Sequence, residues 1–299
     1  MKKTITILGL LLITFCLTQC KREKEDTTTT KETKTEEKQL NITLLLDLSD
    51  RISPSLYPNS PEHHQRDTSI VNNVVRVFKS YMNKQGAYKA KSKIRVITNP
   101  LPKDKNINDI MKKMNIDLSE IKKPAQKKEI FNSIETIFSE NISKIYDLAI
   151  QQNKYPGSDI WRFFKNDMDI AIVDDANYRN ILILITDGYI YHQDSRIQDK
   201  NRTSFLLSKV IKANGFRNNN DWKQKFAQGD YGFITTRNDL ENLEILVLEI
   251  NAIPKNDDDI IKMYLSKWFD EMGIKKYEIY NCDMTNDIVR DRTKKFIGI

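Results

Sequence analysis

The chain has 299 residues, of which 30% are charged, and a formal charge of +7. Loss of residues 1–19 would remove Lys2 and Lys3 and lower that charge to +5, spread among acidic residues, so no nucleic acid is expected among the partners. Of its three cysteines, Cys16 and Cys20 fall at the amino-terminal end and only Cys282 remains, which excludes an internal disulfide framework.

Lys2-Lys3 precedes an apolar stretch from Ile5 to Thr18 that is too short for a comfortable membrane span and reads as a secretory signal. Leu17-Thr18-Gln19-Cys20 closes it. That ending resembles the bacterial lipoprotein box, which implies cleavage before Cys20 and lipid on its sulfur. An ordinary signal peptide with an incidental Cys20 is the alternative. Lys21 carries no inner-membrane retention signal, so the expected location is the cell envelope, on the outer membrane of a Gram-negative bacterium, with the membrane as a partner through Cys20. Lys21 to Gln39 is a run of Lys, Glu and Thr that cannot bury a core. At about 3.3 Å per residue it reaches roughly 60 Å. Residues 20–39 are therefore expected to tether a folded domain formed by residues 40–299, long enough for one large α/β unit.

Within that domain, Leu40 to Asp47 is a near-continuous apolar run, as in a strand covered on both faces. Ile70, Val71, Val74, Val75, Phe78 and Met82 place a helix over Asp67 to Asn83. Ile94 to Thr98 is a short strand ended by Asn99-Pro100, and Lys103 to Lys127 is irregular with one short helix around Ile107 to Met114. Lys128 to Gln151 is a long amphipathic helix, broken by Pro156-Gly157, and Ile160 to Asn166 starts another. Arg179 to Thr186 is a central strand, Phe205 to Ala213 a helix, and Asn214 to Ile234 a loop or small hairpin insertion. Glu244 to Ile250, Asp257 to Met272, Lys276 to Tyr280 and Asp287 to Phe296 then alternate strand and helix. Such alternation predicts a doubly wound, mostly parallel α/β sheet of five to six strands with helices on both faces.

Two apolar strands end in acidic residues: Ile42 to Leu46 runs into Asp47-Leu48-Ser49-Asp50-Arg51, and Ile181 to Ile185 runs into Thr186-Asp187-Gly188. Open α/β sheets bind ligands at that edge. A carboxylate and a hydroxyl two residues apart, with a second carboxylate from another strand, suit a hard divalent cation. The pattern resembles the von Willebrand factor A-type domain and its metal-ion-dependent adhesion site. In that family the first strand ends in Asp-x-Ser-x-Ser, a second loop supplies Thr, and a third supplies Asp. The resemblance spans roughly Leu40 to the carboxyl terminus and implies Mg²⁺ held by Asp47, Ser49, Asp187 and, in place of the Thr, Ser158 of Pro156-Gly157-Ser158-Asp159. Ser158 also suits a helix N-cap. Arg51 replaces the last Ser of the motif. Its guanidinium either substitutes for the cation or faces outward, with Asp50 beside it, to meet an acidic partner, leaving Asp50 or Ser53 to complete the shell.

His63-His64 reads as part of an exposed polar loop, and His192 is close enough after Asp187 to line the same cleft. No nucleophile stands beside the acidic cluster. The leading expectation is therefore a lipid-anchored module, not an enzyme, that binds a protein partner's exposed carboxylate at the strand ends, through Mg²⁺ or Arg51. The first alternative is a metal-dependent phosphoester hydrolase. The haloacid dehalogenase-like phosphatases require a second Asp where Ser49 stands. The second alternative is a metal-free structural subunit of an envelope complex.

Overall fold

The computed structural model describes residues 37–217 and 219–298. The signal, Cys20 and most of the tether lie outside the described residues. Its strands and helices follow in chain order: β1 Gln39–Leu46, α1 His63–Lys89, β2 Lys93–Thr98, α2 Lys105–Lys113, β3 Ile116–Asp117, α3 Pro124–Gln152, α4 Ile160–Arg162 and β4 Tyr178–Ile185. There follow β5 Gln198–Asp199, β6 Arg202–Thr203, α5 Ser208–Ala213, α6 Trp222–Gln228, β7 Gly232–Phe233, β8 Leu243–Ile250, α7 Asp258–Glu271, β9 Lys276–Asn281 and α8 Asn286–Ile297.

The main sheet has six strands in the order β3-β2-β1-β4-β8-β9. All neighbours are parallel except the short edge strand β3. This is the doubly wound α/β architecture that the strand–helix alternation predicts. Alternation along each strand divides the core. Leu44, Ile183 and Leu248 face one layer with Phe78 of α1 and Phe138 of α3, whereas Leu45, Leu184 and Val247 face the other with Trp268 of α7 and Phe164. Leu46 pairs with both Thr98 and Ile185, so three strands end at one level. The pairing runs one step further, with Asp47 N donating to Ile185 O at 3.1 Å and Thr186 N to Leu248 O at 3.1 Å. Shared register thus brings both acidic strand ends to the same edge.

Several boundaries differ from the sequence expectation. Gln39 is already the first residue of β1, while Asp47 follows its last. Helix α1 starts at His63, with Glu62 N donating to Gln65 Oε1 at 3.1 Å. His63 is therefore a buried helical residue and not part of an exposed loop. The segment Asn214 to Ile234 is more than a loop. It holds α6, and β7 joins β6 in parallel within a small sheet completed by β5. Phe216, Phe226 and Phe233 anchor it, with the Phe226 and Tyr264 rings 4.9 Å apart. Those aromatics are separated by Gly and Asn, which hides their common face from a periodicity reading.

The anchoring role sets an expectation. Phe226→Ala should lower stability by about 3–5 kcal/mol, the range for a buried aromatic, whereas a surface loop position costs under about 0.5 kcal/mol. The urea midpoint decides between them.

Candidate functional site

The first loop builds the floor of the site. Asp47 is 2% exposed, with Oδ1 accepting from Ser49 N at 2.9 Å and Oδ2 from Thr186 Oγ1 at 2.7 Å. Thr186 Oγ1 in turn accepts from Gly188 N at 3.1 Å. The two acidic loops are thereby tied by a hydroxyl to which the motif reading had assigned no role. Gly188 has φ +91°, and a Cβ there would come within 2.5 Å of Ile261 Cγ2, so this turn needs glycine. Asp187 Oδ1 accepts from Tyr189 N at 2.9 Å, which holds the carboxylate against its own loop.

Arg51 turns inward. It is 3% exposed, and its Nη2 lies 2.5 Å from Asp67 Oδ2 and 3.4 Å from Ile185 O. Tyr146 of α3 donates to the same Asp67 oxygen at 2.9 Å. Asp47 Oδ2 is farther from Arg51, at 3.9 Å from Nε. Burial lowers the guanidinium's affinity for its proton, but the carboxylates of Asp67 and Asp47 more than offset this and the net shift is upward. Burial pushes Asp67 up to about 6 against the pull of Arg51. Arg51 therefore has a dedicated internal counter-ion. Its Nε and Nη1 have no hydrogen-bond partner among the described residues.

With Arg51 balanced by Asp67, the strand-end edge keeps an acidic excess. Asp187 is raised by burial and then by the Asp47 carboxylate. Asp50, on the exposed rim, is raised by partial loss of solvent and then by Asp47. In both, burial is the larger cause and the Asp47 carboxylate the second, while the Arg51 charge opposes the rise at Asp187.

The second loop supplies Ser158. Gly157 has φ +91°, and a Cβ there would lie 2.3 Å from Tyr191 O. That turn lets Ser158 pair with Tyr191, with N–O distances of 2.9 and 2.8 Å. Asp159 N also donates to Asn99 O at 2.9 Å, fixing this loop to the end of β2. The N-cap of α4 is Asp159, whose Oδ1 accepts from Arg162 N at 3.2 Å; it is not Ser158. Ser158 is left 2% exposed with an Oγ that has no partner among the described residues. His192 faces Asp159, with Nδ1 3.4 Å from Oδ2, and does not line the cleft.

Ser49, Asp50, Arg51, Ser158 and Asp187 line one cleft of about 360 Å³. Asp47 is not among the lining residues and is tied to them through Ser49 N, which donates to its Oδ1. Among the described residues no three His, Cys, Asp or Glu side chains converge as a metal site. A cation here would therefore rest on two aspartates and serine hydroxyls, a set that Mg²⁺ accepts when waters complete its octahedron. The orphaned Ser158 hydroxyl and the acidic excess fit such an ion.

Three residues of the site carry no motif signal. Asp67 and Tyr146 read as ordinary helix positions. His63 lines the cleft with Nδ1 unpartnered among the described residues and Nε2 3.5 Å from Asn251 Nδ2. Burial, then the charges of Arg51 and Arg66, lower His63 to about 4.

Two outcomes follow from this geometry. Arg51→Met should cost about 3–5 kcal/mol by stranding Asp67, and adding Asp67→Leu should recover most of it, as read by urea unfolding. His63 binds its proton less tightly when folded than at its ordinary value of 6.5. Its stabilisation is complete above that value and is lost as pH falls towards 4. Wild type should therefore lose stability relative to His63→Gln between pH 7 and 4.5. Parallel midpoints for the two proteins would contradict this.

No protein-family model and no curated protein matches the sequence. Several solved structures are similar to it at low identity. An aerotolerance-related membrane protein from Bacteroides fragilis is 11% identical over 87% of this chain and 98% of its own, with a TM-score of 0.39. The conserved hypothetical protein BatB from Bacteroides thetaiotaomicron is 12% identical over 87% of this chain and 100% of its own, with a TM-score of 0.37. The pilus adhesin SpaC from Lactobacillus rhamnosus GG, in an open conformation, is 12% identical over 87% of this chain and 30% of its own, with a TM-score of 0.40. Likeness of this degree concerns fold alone.

Proposed function

We propose that this chain is a binding module of the von Willebrand factor A type, held at the cell envelope by lipid on Cys20. Its strand-end cleft takes a carboxylate of a protein partner through Mg²⁺. The observation that carries the reading is the buried Ser158 hydroxyl, unpartnered among the described residues and lining the same cleft as Ser49 and Asp187. Burying a hydroxyl without a partner costs about 1–3 kcal/mol, so a ligand that uses it is favoured. Ser49, Ser158, Asp47 and Asp187 would hold the ion directly or through water. The ion would supply a positive centre with an open position for an anionic oxygen. Arg51 and Asp67 form a near-neutral pair below it and leave the acidic excess for the cation to balance. Asp50, exposed on the rim, would contact the partner beside the ion.

A second reading rests on Arg51, whose Nε and Nη1 have no hydrogen-bond partner among the described residues although the residue lines the cleft. In that case a partner carboxylate meets the guanidinium without metal.

Calorimetric titration with Mg²⁺ and with Mn²⁺ separates the two. The first reading expects saturable binding, lost in Asp187→Ala and weakened about tenfold or more in Ser158→Ala, with both variants folded. Absence of binding to folded wild type would remove the cation and leave the Arg51 reading.

A further inference from the structure

A second cavity, of about 220 Å³, opens beside the cleft at the same strand-end edge. Leu48 after β1, Ile107 of α2 and Ala149 of α3 form its apolar wall. Thr98, the last residue of β2, also lines it. Thr98 is 5% exposed, and its Oγ1 has no hydrogen-bond partner among the described residues. The strand alternation that buries Ile94 and Val96 in the α1–α3 layer directs Thr98 to that side too. A buried hydroxyl with no bond is uncommon in a packed protein. Beside a void, it marks the place of an occupant that can hydrogen-bond.

Three features narrow that occupant. The walls suit an apolar ring or chain, while Thr98 requires a polar atom at its inner end. The volume lies below the roughly 300–1,000 Å³ common for drug-sized ligands, which favours a single side chain. Exposed Lys103 and Lys154 stand at the rim, and no carboxylate lines the cavity among the described residues, so an acidic segment is favoured across the mouth. Gly157 belongs to the wall of both the cavity and the cleft, so one extended segment reaches the two.

We infer that this cavity receives the phenol ring of a tyrosine in the same acidic partner segment whose carboxylate enters the cleft. The ring packs on Leu48, Ile107 and Ala149, and its hydroxyl meets Thr98 Oγ1. This rests on the carboxylate reading of the cleft, but the cavity is testable without it.

The test is an NMR titration of the full chain with p-cresol and with toluene. Both should bind saturably, and p-cresol about five- to tenfold more tightly, the worth of one hydrogen bond. Thr98→Val, which keeps shape and removes the hydroxyl, should abolish the preference while toluene still binds. Ala149→Phe, which fills the void, should abolish both. No binding of p-cresol to the folded wild type overturns the proposal, as does a preference that survives in Thr98→Val. The acetylated tripeptide Asp-Gly-Tyr is then titrated in Mg²⁺ and in EDTA. It should bind at least tenfold more tightly than p-cresol in Mg²⁺. An equal gain in EDTA keeps the tyrosine site and removes the cation from the cleft. No gain in either condition overturns the side-chain occupant and identifies a free phenolic molecule instead.

Discussion

The ion pair between Arg51 and Asp67 decides what the strand-end edge can do. A guanidinium buried at 3% exposure is tolerated only with a counter-charge at hand. Asp67 on α1 provides it at 2.5 Å, and Tyr146 on α3 holds the same carboxylate oxygen at 2.9 Å. Ile185 O, at the end of β4, lies 3.4 Å from the same nitrogen. One buried contact therefore joins the loop after β1 to two helices and to the neighbouring strand. Were Asp67 neutral, the Arg51 charge would offset part of the Asp47 and Asp187 charge and weaken the pull of the edge on a divalent cation. With Asp67 ionised, Arg51 is balanced internally and the carboxylates of Asp47, Asp50 and Asp187 keep an acidic excess at the edge.

The second constraint is backbone rather than charge. Gly157 and Gly188 both adopt φ +91°, and a side chain at either would strike a neighbour at 2.5 Å or less. These turns set the two loops close to the first. Gly157 does more, because it is the wall between an acidic cleft and an apolar cavity. A residue without a side chain keeps that wall low. The edge thereby has a polar half and an apolar half, each with a buried hydroxyl, Ser158 or Thr98, left without a partner among the described residues.

Much of the architecture was legible in the residues. Unbroken apolar runs such as Ile181 to Ile185 mark strands covered on both faces, and three-and-four spacing marks α1, α3 and α7. These are local patterns, and tertiary context only moved their ends. The insertion was not legible, because Phe216, Phe226 and Phe233 share a face only once α6 and β7 have folded. Nor was the burial of His63, which depends on where the amino-terminal end of α1 docks. Ser158 and Asp159 are equally good caps by type, and the pairing of Ser158 with Tyr191 left the cap to Asp159.

The amino-acid sequence by itself determined that two strands end in carboxylates at one sheet edge. Chain order and parallel pairing guarantee that outcome wherever the strands settle. It left open the direction of Arg51, on which the chemistry of the edge turns. That direction is set by a carboxylate 16 residues later and by a tyrosine from α3, brought together only by the packing of α1 on α3. A buried charge goes to the counter-charge that the fold presents, and no local pattern encodes which one that will be.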